Sequence, residues 1–273
     1  DSIPPTRCSF IVISSRKLPA GMKTGLAVVY GLGLIFFAIS GVFEAGAEPS
    51  VAAPHPSTST TLTWHYEGEH GPSHWGAIAP TTASCENGTH QSPINIRTTP
   101  HASSVHDELL IHYHPSTAKV VTSHHTIEVD FQSGGALEIF GRSYALQEFH
   151  FHEPSEHQLN GRTYPMEAHL VHRDESGHLV VLAILMDLGV ETAPLGAVWE
   201  RIPSEKHGEM RDLLFNPQDL LPKDLHHYAY DGSLTTPPCT EGVHWIVLKE
   251  PIAITTGHLE RFVSLVGHNA RPV

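Results

Sequence analysis

Hydrophobic and polar residues alternate with a period of two through much of the chain from residue 109 onward. Five segments either alternate in this way or are apolar over the length of a strand: Leu109–His114, Thr126–Phe131, Ala136–Phe140, Leu179–Met186 and Val243–Leu248. Such segments predict β-strands. Helical periodicity is limited to three short candidates: Ala197–Ile202, Met210–Leu214 and Gly257–Leu265. The pattern therefore predicts a mainly β protein with a few short helices.

The densest chemistry lies between Tyr144 and Asp174, where five of the chain's 23 histidines occur. His150 and His152 are two residues apart, and aromatic residues occupy the alternate positions Phe149 and Phe151. Because side chains alternate across a strand, this spacing predicts both imidazoles on one face and both phenyl rings on the other.

A second strand candidate, Met166–His172, follows after several turn-forming residues. Glu167 and His169 share one face of this strand in the expected alternation. If the two strands pair, His169 joins His150 and His152 in a three-histidine site. Zinc commonly takes three histidines in catalytic sites and leaves a fourth position for water.

Two other interpretations of these histidines remain open at this point. A single histidine is more often a surface or hydrogen-bonded core residue than a ligand. His150, His152 and His157 also form an H-x-H-x₄-H cluster, which is similar to a metallo-β-lactamase-type motif. That motif places Asp before its third histidine, whereas Glu156 occupies this position here and the spacing is longer.

Residues 22–47 have the three parts of a secretory signal peptide. Lys23 supplies positive charge, Leu26–Val42 is apolar, and Ala45-Gly46-Ala47 forms a small-residue cleavage motif. A retained membrane anchor is the alternative, but the apolar run is at the short end for a bilayer span. We therefore expect cleavage after Ala47, no stable membrane insertion afterwards, and an upstream or non-native segment at 1–21.

The remaining chain divides into a Pro-, Ala-, Ser- and Thr-rich linker at 48–61 and one domain at 62–273. The formal net charge of −13 argues against binding to nucleic acid or to an anionic membrane surface.

Removal of Cys8 with the leader would leave Cys85 and Cys239 as an even pair. In an oxidising compartment they could form a bridge, and two reduced buried thiols are the alternative.

Three ordered motifs then give a specific resemblance. They are QSPINI at Gln91–Ile96, the FHFH…SEH…E-x-HLVH run between Phe149 and His172, and GSLTTPPCTEGVHWIVLKEPI at Gly232–Ile252. Together they resemble the alpha-class carbonic anhydrases of the exported bacterial type, over Trp64 to Val273. The resemblance implies a large twisted, mostly antiparallel central sheet. It also implies reversible hydration of carbon dioxide to bicarbonate and a proton by a periplasmic or secreted zinc enzyme.

The resemblance implies a zinc ion (Zn²⁺) held by His150, His152 and His169. Glu148, Glu167 and the backbone carbonyl of Asn269 would accept hydrogen bonds from the second ring nitrogens. The family commonly has Gln at the position of Glu148, so this chain adds a carboxylate near the metal. Zinc bound in this way lowers the pKa of water to about 7, and carbonic anhydrases are themselves the reference case for this effect.

By the same resemblance, Thr235 would donate to buried Glu156 and orient the attacking oxygen, while Thr236 lines the substrate side. The apolar carbon dioxide pocket would be formed by Val171, Val181, Leu234 and Trp245. Taken singly, these four are ordinary core residues, and Thr235 is an ordinary turn residue before two prolines.

His125 corresponds to the proton shuttle, since a histidine accepts and releases protons near neutral pH. His124 is an adjacent backup, and Tyr66 would order the water network. Similar bacterial enzymes also join cysteines at the positions of Cys85 and Cys239.

Three rival functions are an inactive family member that serves as a binding module, a zinc-dependent esterase, and a periplasmic metal buffer. The sequence leaves the oligomeric state open.

Overall fold

The computed structural model describes residues 62–98, 109–123, 125–203 and 211–273. They belong to one compact unit, Thr58–Val273. The expected segments at 1–21, 22–47 and 48–61, together with His124, lie outside the described residues. Within the part of the chain that is described, no helix combines the length and apolar character needed to cross a bilayer.

Strands account for most of the regular structure. Their bounds are β1 Asn95–Ile96, β2 Leu110–Tyr113, β3 Ser116–Thr122, β4 Ile127–Phe131, β5 Gly135–Ile139, β6 Arg142–His152, β7 Gln158–Leu159, β8 Arg162–Thr163, β9 Met166–Arg173, β10 Leu179–Leu188, β11 Arg211–Phe215, β12 His227–Ser233, β13 Glu241–Leu248 and β14 Ile252–Ile254. The α-helices are α1 Trp75–Ile78, α2 Ser84–Asn87, α3 Ala193–Arg201 and α4 Thr256–Leu265. Short 3₁₀ helices occupy Gly68–His70, Pro72–His74, Pro80–Thr82 and Pro217–Leu220.

Eleven of the described strands form one large mixed sheet, in which the longest path runs β11-β3-β4-β6-β9-β10-β13-β12. Most neighbours are antiparallel, and β10 pairs in parallel with β13 and β14. A small second sheet contains β1, β7 and β8. The predicted mainly β domain around a central sheet is therefore confirmed.

The sheet separates two apolar layers. Along β9 and β10 the even-numbered residues, such as Leu170 and Leu182, belong to the main core. Odd-numbered residues such as Val181, together with Trp245 of β13, form a smaller cluster on the opposite face. This division follows from the two-residue period of a strand, and it leaves the second face for the functional site.

A β-bulge in β6 sets which of its side chains face the main core. Before the bulge Tyr144 and Leu146 are buried, whereas after it Phe149 and Phe151 are buried. The register against β9 shifts between Leu146 and Glu148, which leaves Gln147 as the extra residue. The bulge therefore changes the phase of the strand and directs the alternate positions after it to the second face.

Two of the three predicted helices are confirmed, because α3 and α4 cover most or all of Ala197–Ile202 and Gly257–Leu265. The helix predicted at Met210–Leu214 is wrong. Its described residues belong to β11, which pairs with β3. Leu213 and Phe215 are buried while Leu214 is 75% exposed, so pairing at the sheet edge imposes a period of two on this short segment.

Candidate metal centre

Three imidazoles from two neighbouring strands converge on the second face of the sheet. His150 of β6 lies directly opposite His169 of β9 in the register of the sheet, and His152 follows two residues later. One nitrogen from each of the three rings lies within 4.8 Å of the others. The pairing of strands that the sequence pattern required for a three-histidine cluster is therefore present.

The second ring nitrogen of His150 and of His152 is held by an acceptor. Nδ1 of His150 lies 2.9 Å from Oε2 of Glu148. Nδ1 of His152 donates to the backbone carbonyl of Asn269 over 2.8 Å. Each ring therefore keeps Nε2 as the nitrogen that is directed away from these acceptors.

His169 is held through its other nitrogen. Its Nε2 lies 2.8 Å from Oε1 of Glu167, and the same carboxylate lies 2.6 Å from Nδ1 of His157. Nε2 of His157 is in turn 2.7 Å from the hydroxyl of Tyr230. A second compact cluster contains His157, Glu167 and His169. The contacts just described already occupy both ring nitrogens of His157 and the carboxylate of Glu167. His157 therefore supports a ligand candidate, and the rival H-x-H-x₄-H arrangement is not assembled.

The cluster satisfies a direct test for a metal site. Nε2 of His152 is buried and has no hydrogen-bond partner within the described residues, although a buried polar atom normally requires one. Burial, together with His169 and His150, lowers the pKa of His152 well below its ordinary value. Burial also lowers the pKa of His169 to about 4. Neutral imidazoles with free nitrogens are the form that binds a metal ion.

Glu148 and Glu167 affect these imidazoles differently. Burial lowers the pKa of His150, but Glu148 outweighs this effect and raises it overall. Burial opposes ionisation of Glu167, yet His157 and His169 bring the pKa of this carboxyl well below its usual range. Glu167 is therefore a buried carboxylate between two imidazoles.

Glu156 is a further buried carboxyl beside the cluster, and Oε1 accepts a 2.9 Å hydrogen bond from the backbone N–H of Arg271. Its Oε2 lies 3.9 Å from Nδ1 of His169. Burial raises the pKa of Glu156 to about 8, while hydrogen bonds from the Thr235 side chain and the Arg271 backbone oppose this rise. The structure thus brings Thr235, Glu156 and the histidines together.

His150 and His152 open onto a cavity of about 360 Å³. Eight of the residues singled out in the sequence line it: Tyr66, His125, Glu148, His150, His152, Val171, Leu234 and Thr236. Val181 and Trp245 are almost fully buried in the apolar layer that includes Val171 and Leu234 at its edge. They support the cavity wall rather than form its surface.

His125 is placed at this cavity by Trp64. The two rings stack with their centroids 3.7 Å apart, and Nε2 of His125 lies 3.0 Å from the Trp64 carbonyl. Tyr66 packs edge-on against Trp64, and burial raises its pKa well above the ordinary value. Trp64 was not singled out from the sequence, although it begins the WHYEGEHGPSHW segment that contains Tyr66.

The cavity also contains charged residues to which the sequence analysis assigned no role. Glu128 of β4 and Arg173 of β9 line it together with Glu148. Burial, a hydrogen bond with Asp130 and the charge of Glu148 raise the pKa of Glu128 to about 8. Alternation along β4 and β9 could have identified both residues, once the histidine face had been chosen.

A disulfide joins Cys85 to Cys239, across 154 residues of sequence. The backbone N–H of Cys239 donates to the carbonyl of Thr236 over 2.8 Å. Arg271 donates through Nη2 to the carbonyl of Cys85 over 2.9 Å. The disulfide therefore anchors the loop that contains Thr235 and Thr236 to the N-terminal part of the domain.

Comparisons with known proteins agree with this geometry. The family model described as eukaryotic-type carbonic anhydrase matches residues 70–272. The chain is 42% identical over 212 residues to a carbonic anhydrase of Neisseria gonorrhoeae, with 77% of this chain and 83% of that protein covered. It is 37% identical over 221 residues to one from Pectobacterium atrosepticum, covering 80% and 89%.

Among solved structures, the alpha-carbonic anhydrase of Thermovibrio ammonificans in complex with sulfanilamide is similar with a TM-score of 0.75 and 40% identity. That comparison covers 78% of this chain and 95% of the other. Residues 70–272 contain the histidine cluster, both cysteines and the cavity residues other than Trp64 and Tyr66. The chain therefore belongs to the alpha-class carbonic anhydrases, lyases that hydrate carbon dioxide.

Proposed function

We propose that the protein binds one zinc ion through His150, His152 and His169 and interconverts carbon dioxide with bicarbonate and a proton. The observation that carries this proposal is the convergence of three ring nitrogens within 4.8 Å, of which the buried Nε2 of His152 has no hydrogen-bond partner among the described residues. When bound, zinc would supply the positive charge that makes water a nucleophile near neutral pH, as it does in carbonic anhydrases generally.

The acceptors behind the ligands fix the rings and increase their basicity. Asn269 supplies a neutral carbonyl to His152, whereas Glu148 and Glu167 supply carboxylates to the other two rings. Glu148 is the departure from the usual Gln of the family. Its negative charge at the cavity wall disfavours proton loss from a nearby water, so it raises the pH at which activity appears.

Thr235 orients the attacking oxygen. In this proposal the Thr235 hydroxyl donates to the Glu156 carboxylate, so it can only accept from a water or hydroxide, and this aims an oxygen lone pair at the substrate. The carboxyl of Glu156 is kept in place by the Arg271 N–H. Thr236 lies on the cavity surface, where it would contact bound carbon dioxide or bicarbonate.

The substrate pocket is formed by Val171 and Leu234, with Val181 and Trp245 packed behind them. Carbon dioxide is uncharged, so an apolar wall favours its entry over that of water. Bicarbonate is the other small-molecule substrate, formed and consumed at the same site.

Proton removal is assigned to His125, with Tyr66 ordering water beside it. Nε2 of His125 lies 3.0 Å from the Trp64 carbonyl and therefore carries the proton in the neutral ring. Stacking on Trp64 holds the ring at the cavity wall. The shuttle thus starts from a defined tautomer.

Export and a side activity complete the proposal. The Cys85–Cys239 disulfide is compatible with an oxidising periplasmic or extracellular location after cleavage of residues 22–47. N-terminal sequencing of the secreted protein tests the cleavage.

An activated water at this site would also hydrolyse activated esters, and turnover of 4-nitrophenyl acetate relative to carbon dioxide measures that activity.

The deciding experiment is stopped-flow hydration of carbon dioxide by the purified protein, with and without a chelator, alongside its zinc content. Rapid, chelator-sensitive turnover with one zinc per chain is expected. Zinc without turnover would favour a binding module, and many zinc ions per chain would favour a metal buffer. Absence of zinc would overturn the three-histidine site.

A further inference from the structure

Asn269 lies beyond α4, outside regular secondary structure, and is only 1% exposed. A buried amide is costly unless its polar atoms find partners. Its backbone carbonyl accepts from Nδ1 of His152 over 2.8 Å. Its side chain makes three further hydrogen bonds, none of which involves a ligand imidazole.

Those three bonds connect separate parts of the site. Oδ1 accepts from the backbone N–H of Glu153 over 2.7 Å. Nδ2 donates to the carbonyl of Phe151 and to the carbonyl of His125, each over 2.8 Å. Phe151 lies between the two ligand histidines of β6, and His125 lies in the loop between β3 and β4.

We propose that the Asn269 side chain is a positioning residue for proton transfer, which fixes the main chain of His125 relative to the strand that presents His150 and His152. This inference rests on the proposed function, in which His125 is the shuttle. It adds a role that the Asn269 backbone carbonyl does not perform, because that carbonyl accepts from Nδ1 of His152.

The geometry explains why one side chain can have this effect. The His125 ring is held by Trp64, its backbone N–H donates to Oγ of Ser123 over 3.2 Å, and its carbonyl accepts from Nδ2 of Asn269. The Phe151 carbonyl has a second donor, since Thr126 Oγ1 donates to it over 2.6 Å. Loss of the amide therefore leaves β6 tied to the loop through Thr126 but releases the His125 carbonyl from this donor. Proton transfer through water depends steeply on such distances.

The test is carbon dioxide hydration by the full zinc-loaded chain with Asn269→Ala, in dilute buffer and with added imidazole. We expect kcat in dilute buffer to fall by about threefold to tenfold, kcat/KM to stay within about twofold, and imidazole to restore kcat. His268→Ala is the matched control. Its side chain contacts Glu153 from the same segment but does not contact His125, so its kcat should not change.

Two readouts separate positioning from general damage. If Asn269 acts through His125, the double variant His125→Ala/Asn269→Ala has no lower kcat than His125→Ala alone, whereas a merely structural role gives additive losses. The visible spectrum of the cobalt-substituted protein should be unchanged in Asn269→Ala, because the His152 acceptor is retained. Equal falls in kcat and kcat/KM, absence of imidazole rescue, or additive losses would overturn the proposal.

Asn269→Leu covers the case in which the alanine variant does not fold. Leu fills the space of the amide without adding charge but cannot donate to either carbonyl, so the same selective loss of kcat is expected. A parallel loss of kcat/KM in Asn269→Leu contradicts the inference. Failure of the proposed function is distinct, because the unsubstituted protein would then show no carbon dioxide turnover at all.

Discussion

The carboxylate of Glu167 lies 2.8 Å from Nε2 of His169, which leaves Nδ1 as the nitrogen of this ring that can bind a metal. His150 and His152 are held through Nδ1 instead. The three rings therefore offer two Nε2 atoms and one Nδ1 atom. This choice of nitrogens is set by the acceptors and not by the spacing of histidines in the sequence.

Replacement of His169 by Ala should abolish both zinc binding and carbon dioxide hydration, because only two nitrogens then remain. Glu167→Gln keeps the ligand and should weaken zinc affinity by about 10- to 100-fold, as is usual for a partner behind a ligand. Competition with a chromogenic chelator measures both. The exposed His178→Ala is the control, and a variant of His169 that retains one tightly bound zinc would contradict the assignment.

His125→Ala should reduce kcat in dilute buffer while leaving kcat/KM nearly unchanged, and added imidazole should restore it. The physical reason is that the ring transfers a proton and takes no part in attack on carbon dioxide. His65→Ala is the control: its ring lies 6.3 Å from that of His125 but has no role in the proposal, so kcat should not change. A loss that imidazole cannot restore would remove His125 from the proton path.

Thr235→Ala should keep its zinc and lose about 100-fold in kcat/KM, since the hydrogen bond that orients the attacking oxygen is absent. Thr235→Ser retains the hydroxyl and should recover most of the rate. Stopped-flow hydration together with zinc analysis checks the pair. Unchanged turnover in the alanine variant would exclude Thr235 from the mechanism.

His172 should make the fold sensitive to acid. Burial lowers its pKa to about 3, and its Nε2 lies 2.6 Å from the Tyr113 hydroxyl. The unfolded chain binds this proton at a pH near 6.5, so the stabilising contribution is complete above that value and declines as the pH falls toward 3. Between pH 8 and pH 5 this single group should cost about 2 kcal/mol of unfolding free energy.

Urea unfolding of His172→Gln at these two pH values tests this expectation. The variant should be less stable at pH 8 and should show a smaller drop at pH 5 than the unsubstituted protein. An unchanged drop would mean that other groups cause the acid sensitivity.

The disulfide should stabilise the domain by about 2–4 kcal/mol, because it restricts a long loop of the unfolded chain. Cys85→Ser/Cys239→Ser should lower the unfolding free energy by that amount, measured in urea. It should also reduce kcat/KM, because the bridge anchors the loop with Thr235. Detection of two free thiols in the folded, unreduced protein would contradict the bridge.

The alternation of residue types was sufficient to predict the strands that contain the histidines. Aromatic residues such as Phe149 face the apolar core, and histidines such as His150 face the candidate metal site. The alternation did not predict the helix-to-strand difference at Arg211–Phe215, where pairing with β3 overrides the local preference. Arg271 was missed because its contacts with Glu156 and Cys85 span more than 100 residues of sequence. Periodicity within one segment contains no information about such contacts.

Gln147, the extra residue of the bulge in β6, contacts a neighbouring carbonyl and has no chemical role of its own. Yet it makes Leu146 and Phe149 face the same apolar layer, three positions apart instead of two. Deletion of this residue would reverse the faces to which the side chains of one half of the strand point. Either His150 and His152 would then face the main apolar core, or Tyr144 and Leu146 would no longer face it. A deletion at Gln147 should therefore be as damaging as the loss of a ligand.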